Sequence, residues 1–282
     1  MSGVGLLFVL AALSDVRTPR FSSGTDQVRL DVVVSRGAEP IAGLSAEDFE
    51  VRDNGARQEV QLVSRDERAV HAVLVLDFSS SLLDEAREKL KAAAASFLGK
   101  LDPNDHATLL TFTHDLRLIS GPTLPGAVQF QVKKLDGSGS TALYDAVYAG
   151  MTVAGAAPGR PFVLVFTDGI NYFSWLGEAQ LLDVARGLEP TVYVVSTGKW
   201  PESEDVVRRV VRESGGRLWH GRSIDQLDED FDRVLAEVKN RYLLTYSPPD
   251  PPRPGWHEIK VKLRRGKGQV RARRGYFAGP LP

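Results

Sequence analysis

The sequence has 282 residues, enough for one large domain or two modest ones, and a hydrophobic content of 43% that can fill real cores. Its formal net charge of −1 gives no global attraction to nucleic acid or anionic lipid. With no cysteine, disulfides, thiolate metal sites and cysteine nucleophiles are excluded.

The amino terminus predicts export. Val4 to Leu13 is an apolar run too short for an ordinary membrane span but suited to the core of a signal peptide, and Ala12-Leu13-Ser14 offers a small-x-small cleavage site. Met1-Ser2-Gly3 departs from the pattern in carrying no Lys or Arg. Residues 1–25 are expected to be signal peptide and leader, with the rest secreted, periplasmic or at the cell envelope. No other run is apolar long enough for a stable membrane span.

Short strands are expected next at Val28 to Val34, Phe49 to Arg52 and Gln58 to Ser64. Asp53-Asn54-Gly55 between the last two is a strong hairpin signal. From residue 69 the pattern changes to alternation. Strands are expected at His71 to Asp77, Ala107 to Thr113, Pro161 to Thr167 and Thr191 to Ser196. Amphipathic helices are expected near Leu83 to Leu98, Ala142 to Ala154, Glu178 to Leu188 and Glu204 to Glu213. Such alternation gives an α/β fold with a doubly wound, mostly parallel sheet. Asp115 to Ser120 predicts an antiparallel edge strand, Gly215 to Trp219 a helix stop and a last strand, and Ile224 to Asn240 a closing helix.

The apolar strand Val73-Leu74-Val75-Leu76 ends in Asp77-Phe78-Ser79-Ser80-Ser81, a carboxylate followed by hydroxyls. Open α/β sheets bind ligands outside the carboxyl ends of such strands, and these hard oxygens suit Mg²⁺ or Ca²⁺ rather than zinc or copper. Phe162 to Asp168 repeats the pattern of an apolar strand ending in an aspartate. Gly137-Ser138-Gly139-Ser140-Thr141 brings a third hydroxyl to a helix entrance on a glycine-flexible loop. Taken singly, the first piece reads equally as a helix N-cap, the second as a turn and the third as a plain loop.

In this order, the pieces resemble the von Willebrand factor A-type (VWA) domain, whose metal-ion-dependent adhesion site (MIDAS) uses Asp-x-Ser-x-Ser, a distant Thr and a distant Asp. The matching positions are Asp77, Ser79, Ser81, Thr141 and Asp168. The resemblance implies a Rossmann-like fold and a divalent cation, Mg²⁺ with Mn²⁺ or Ca²⁺ as substitutes. It also implies that the serines and threonine bind the metal directly and the aspartates act largely through bound waters. Leu30 to Val34, Gly43 to Val51 and Val270 to Tyr276 look like the extensions of bacterial VWFA-related proteins, which stretches the likeness from Val28 to Tyr276.

After the α/β unit, strands are expected at Tyr242 to Tyr246, His257 to Leu263 and Val270 to Phe277. Three strands on each flank are a marginal number for an independent sheet, so the flanks are expected to pair. The predicted layout is 26–68 and 241–282 as one small β-domain, with the VWA domain at 69–240 inserted between them. Residues 253–274 hold nine Lys or Arg against the single acid Glu258. Polyanion binding is one reading of that run, and a solvated edge strand whose cations discourage aggregation is the simpler one. Pro248 to Pro254 reads as a stiff loop.

A hydrolase would need a base beside Ser79 or Ser81, and His114 is the only histidine near a strand end that qualifies. A surface histidine is the plainer account, and no phosphate-binding glycine motif occurs. The expected function is therefore a non-enzymatic, adhesion-type binding module that captures an exposed Asp or Glu of a protein partner through the cation, with no nucleic acid involved. Phe78, Tyr172, Phe173 and Trp175 are expected either to rim the site or to pack beneath the following helix. A scaffold subunit of a chelatase- or chaperone-like assembly is the alternative, followed by a metal-assisted hydrolase.

Overall fold

The computed structural model describes residues 27–63, 69–169, 171–197, 203–221, 223–248 and 253–279. The expected leader, Ser64 and the centre of the proline-rich loop lie outside the described residues.

Among the described residues five strands precede the α/β body: β1 (Val28–Arg36), β2 (Glu39–Pro40), β3 (Phe49–Asp53), β4 (Ala56–Gln58) and β5 (Gln61–Val63). The body runs β6 (Val70–Asp77), α1 (Asp84–Gly99), β7 (His106–Phe112), β8 (Leu116–Thr123), α2 (Pro125–Val132), α3 (Leu143–Gly155), β9 (Arg160–Thr167), α4 (Glu178–Gly187), β10 (Thr191–Ser196), α5 (Ser203–Ser214), β11 (Arg217–His220) and α6 (Leu227–Lys239). Four strands follow the body among the described residues: β12 (Tyr242–Tyr246), β13 (Gly255–Leu263), β14 (Gln269–Arg271) and β15 (Gly275–Ala278).

The body is a six-stranded sheet in the order β11-β10-β9-β6-β7-β8, parallel except for the antiparallel edge β8. Both faces of its central strands are covered, which is why β6 and β9 read as continuous apolar runs rather than alternating ones. Successive side chains go to opposite faces. Ala72, Leu74 and Leu76 pack with residues of α1, α2 and α6, whereas Val73 and Val75 pack with residues of α3, α4 and α5. Phe97 meets Phe162 and Phe231 edge-on, with ring centroids 6.4 and 5.9 Å apart, a geometry the aromatic quadrupole favours. Helix α2 is not signalled by amphipathic spacing. Its sequence mark is Pro125 at the first turn, where the missing N–H costs nothing.

The flanks make two further sheets. One has the order β14-β1-β12-β5, with β2 on β1, and the other β15-β13-β3-β4. Strands from both ends of the sequence alternate in them: β1 pairs with β12 and β14, and β3 pairs with β13. Leu30, Val32, Phe49, Val51, Tyr242, Leu244 and Ile259 form the core they share. The β3–β4 hairpin closes through Asn54 and Gly55, both at positive φ (46° and 84°), as a tight primed turn requires.

Two expected strands are split. Gln58 to Ser64 is divided because β4 pairs with β3 while β5 pairs with β12 in the other sheet, and Val270 to Phe277 is divided because β14 pairs with β1 while β15 pairs with β13. In both cases the chain changes sheets at a corner, a step that strand propensity does not encode.

The flanks attach to the body at the amino ends of its parallel strands. Asp31 on β1 takes an ion pair from Arg160 at 2.6 Å and from Arg241 at 3.3 Å. Burial raises the Asp31 carboxyl, but Arg241 and Arg160 outweigh it and hold the group below the usual carboxylate range. Gly215, at φ +80°, lets the turn after α5 approach the flank so closely that a Cβ there would lie 2.5 Å from the backbone of Ala272.

Candidate metal centre

Asp77 ends β6 with no solvent exposure. One carboxylate oxygen accepts the Ser79 backbone N–H at 2.9 Å, and the other accepts the Thr167 hydroxyl from β9 at 2.8 Å. Burial pushes the Asp77 carboxyl up. Hydrogen bonds from Ser79 and Thr167 oppose the shift and the Asp168 charge adds to it, leaving the group at about 6.

The turn after Asp77 points two hydroxyls to one place, with Ser79 Oγ 2.9 Å from Ser81 Oγ. Ser79 is buried and Ser81 exposed, so the pair spans the boundary between interior and solvent. Arg87 of α1 donates to the Ser79 carbonyl at 3.3 Å and braces the turn from behind.

Thr141 is buried, and its loop is fastened to the same turn by reciprocal bonds. The Ser80 N–H donates to the Gly139 carbonyl at 2.8 Å and the Gly139 N–H to Ser80 Oγ at 2.7 Å. Close approach explains the glycines. A Cβ on Gly137 would lie 2.9 Å from Phe78 Cβ, and one on Gly139, at φ +136°, would lie 2.3 Å from a His114 ring nitrogen. Asp168 follows Thr167 at the end of β9, half-buried, and the Gly169 N–H returns to Thr167 Oγ1 at 3.0 Å. Asp77, Ser79, Ser81, Thr141 and Asp168 thus all lie at the carboxyl ends of β6 and β9 or on the loop bonded to them.

Sequence reasoning missed Thr167, the residue that fixes the second oxygen of Asp77, although its place just before Asp168 on an inward-facing strand is a usable signal. It also missed the loop supports. Asp145 accepts the N–H groups of Trp175 and Leu176, both at 2.9 Å, and the Thr141 carbonyl accepts those of Tyr172 and Phe173 at 2.9 and 3.1 Å. These bonds hold Tyr172, Phe173 and Trp175 in solvent, with 65%, 63% and 94% of their surface exposed. Phe78 does not join them. It is buried in the core against α1, because the residue after the strand end points back into the sheet face.

Among the described residues no three His, Cys, Asp or Glu side chains cluster as metal ligands. The donor set here is two carboxylates and three hydroxyls, all hard oxygens. In an octahedral shell with bonds of about 2.0–2.1 Å, neighbouring oxygens stand about 2.9–3.0 Å apart, and the two serine hydroxyls have that separation. The residues present fit a small hard cation.

Residues 72–171 match the family model of the von Willebrand factor type A domain, so the α/β body is a VWA-type domain. The fold as a whole is similar to a von Willebrand factor type A protein from Catenulispora acidiphila, with TM-score 0.53, 13% identity, and coverage of 90% of this chain and 73% of that one. It is also similar to the D319A mutant of the PilB minor pilin from Streptococcus sanguinis, with TM-score 0.52, 13% identity and 62% of each chain covered, so the likeness spans under two thirds of the pilin. Proximal thread matrix protein 1 from the mussel byssus gives TM-score 0.51, 15% identity, and coverage of 73% of this chain and 48% of that one. No curated protein matches the sequence.

Proposed function

We propose that this chain is an adhesion-type protein-binding module in which Ser79, Ser81 and Thr141 hold a divalent cation of the Mg²⁺ class, with Asp77 and Asp168 as its carboxylates. The observation that carries this is the 2.9 Å separation of the Ser79 and Ser81 hydroxyls above a buried aspartate. When bound, the cation supplies a positive centre to which a carboxylate can be drawn. The chain's own part is to shape that centre. Thr167 and the Ser79 N–H occupy both Asp77 oxygens, so Asp77 fixes the turn and offers its charge from below. Three of the ligands being neutral hydroxyls, the charge is only partly cancelled, and an Asp or Glu of a partner protein completes it.

Tyr172, Phe173 and Trp175 stand on a braced loop beside Thr141 and give the partner apolar contact around that carboxylate. The minor pilin that shares the fold supports a place at the cell surface, in keeping with the apolar run Val4 to Leu13.

Calorimetry of the full chain against Mg²⁺, beside Asp77→Ala and Ser79→Ala, tests the centre. Capture of envelope proteins with and without EDTA tests its use. Loss of heat in both variants and loss of capture in EDTA are expected, and folded variants that keep wild-type cation affinity would overturn the proposal.

A further inference from the structure

At the pole of the body opposite the proposed metal centre, a second cleft of about 550 Å³ opens between α5, β11 and the carboxyl-terminal flank. The basic run expected to be a solvated edge does not stand alone. Arg208 and Arg212 of α5 and Arg217 of β11 face Lys262, Arg271 and Arg274 of the flank across the opening, and no carboxylate is among the described lining residues. The buried Glu237 pairs with Arg217 at 3.7 Å and with Arg271, one carboxylate against two guanidinium groups. Arg271 Nε is buried without a hydrogen-bond partner among the described residues. Burial, with the nearby Arg271 adding to it, holds the Arg217 guanidinium below its ordinary range.

The backbone points to the shape of that anion. Among the described strands β11 pairs only with β10 and β14 only with β1, and β13 pairs with β15 only as far as Glu258, its Ile259 N–H donating next to the Arg274 carbonyl at 2.7 Å. Strand edges therefore border the cleft from both the body and the flank. Between the cations the lining is aliphatic, from Leu218, Val261 and Val270, and among the described residues it includes no aromatic ring on which a nucleobase could stack.

We propose that this cleft binds an extended acidic segment of a partner protein, laid along an open strand edge with alternate Asp or Glu side chains against the arginines and lysines and aliphatic side chains on the floor. The two walls come from different parts of the chain, fastened by the Arg274 N–H to the Glu213 carbonyl at 3.1 Å and by Arg271 to the Gly216 carbonyl at 2.8 Å. The site therefore exists only when body and flank are docked.

The test uses the full chain in EDTA, so that the metal centre plays no part, and a fluorescein-labelled peptide of about ten residues alternating Glu and Val. Saturable polarisation that weakens with salt is expected. Arg212→Glu with Lys262→Glu, both at exposed positions, should weaken it about tenfold with the thermal transition unchanged. Absence of saturable binding, equal binding of a Gln-Val peptide, or unchanged affinity in the charge-reversed variant would each overturn the proposal. Displacement by short duplex DNA or inorganic phosphate as readily as by unlabelled peptide would also overturn it and leave a general anion site.

Discussion

The carboxylate of Asp53 lies 2.7 Å from Nδ1 of His257, a residue 204 positions further along the chain. The other carboxylate oxygen accepts the hydroxyls of Tyr246 at 2.8 Å and Tyr276 at 2.9 Å, and His257 Nε2 contacts the Arg253 carbonyl at 2.6 Å. One buried acid from the amino-terminal flank thus organises three side chains of the carboxyl-terminal flank. Burial, with the hydrogen bond to Asp53 next in effect, pushes both tyrosines above their ordinary range, so they remain neutral donors.

Removing Asp53 should therefore cost more than an exposed ion pair would. Asp53→Ala takes the carboxylate from His257 Nδ1 and from both tyrosine hydroxyls, leaving that of buried Tyr246 without its acceptor, and a loss of about 3 kcal/mol is expected by urea unfolding. A midpoint within error of wild type would show that the network contributes nothing.

The two flanks should fold only together. Deleting Tyr242 to Pro282 removes every β1 partner except β2, and also the β13 partner of β3. Amide exchange in 28–63 should rise to that of unfolded chain while β6 and β9 remain protected. Retained protection in β1 would make the flanks separate units.

Asp77 should impose a pH dependence on the cation-free protein. Its folded value, raised to about 6, exceeds that of the unfolded chain. Between about pH 4 and 6 the folded state therefore keeps a proton that the unfolded state has released. Stability contributed by this group is full below that window and falls as pH rises through it, by about 3 kcal/mol. Asp77→Asn removes the titration, so the stability difference between variant and wild type should grow in the variant's favour across the window in EDTA. A constant difference sinks the assignment.

Trp175 should matter for binding and not for folding. With 94% of its surface exposed, Trp175→Ala should change stability by no more than about 0.5 kcal/mol. Partner capture should nevertheless fall markedly, as loss of an exposed aromatic anchor does. Undiminished capture would remove the aromatic loop from the binding face.

What the sequence made legible follows from what each signal encodes. β6 and β9 were visible because a strand covered on both faces must be apolar throughout, and Asp77 and Asp168 because an acid ending such a run has no core role. Thr141 needed the glycines beside it. The divided strands Ala56 to Val63 and Gln269 to Ala278 were hidden because changing sheets alters partners, not propensities. Thr167 was hidden because a threonine in a strand is ordinary until its hydroxyl is seen on Asp77. The cationic cleft draws Arg208, Arg212 and Arg217 from one segment and Lys262, Arg271 and Arg274 from another, and only folding shows that they meet.

The attachment of both flanks at the amino ends of the parallel strands has a mechanical consequence. The proposed metal centre lies at the carboxyl ends of β6 and β9, and the Asp31–Arg160 pair lies where β9 begins. A partner pulling on the centre would load the sheet lengthwise, toward a base in which both flanks are tied. The inter-strand hydrogen bonds run across that direction, so they would resist in shear as a set instead of parting one after another.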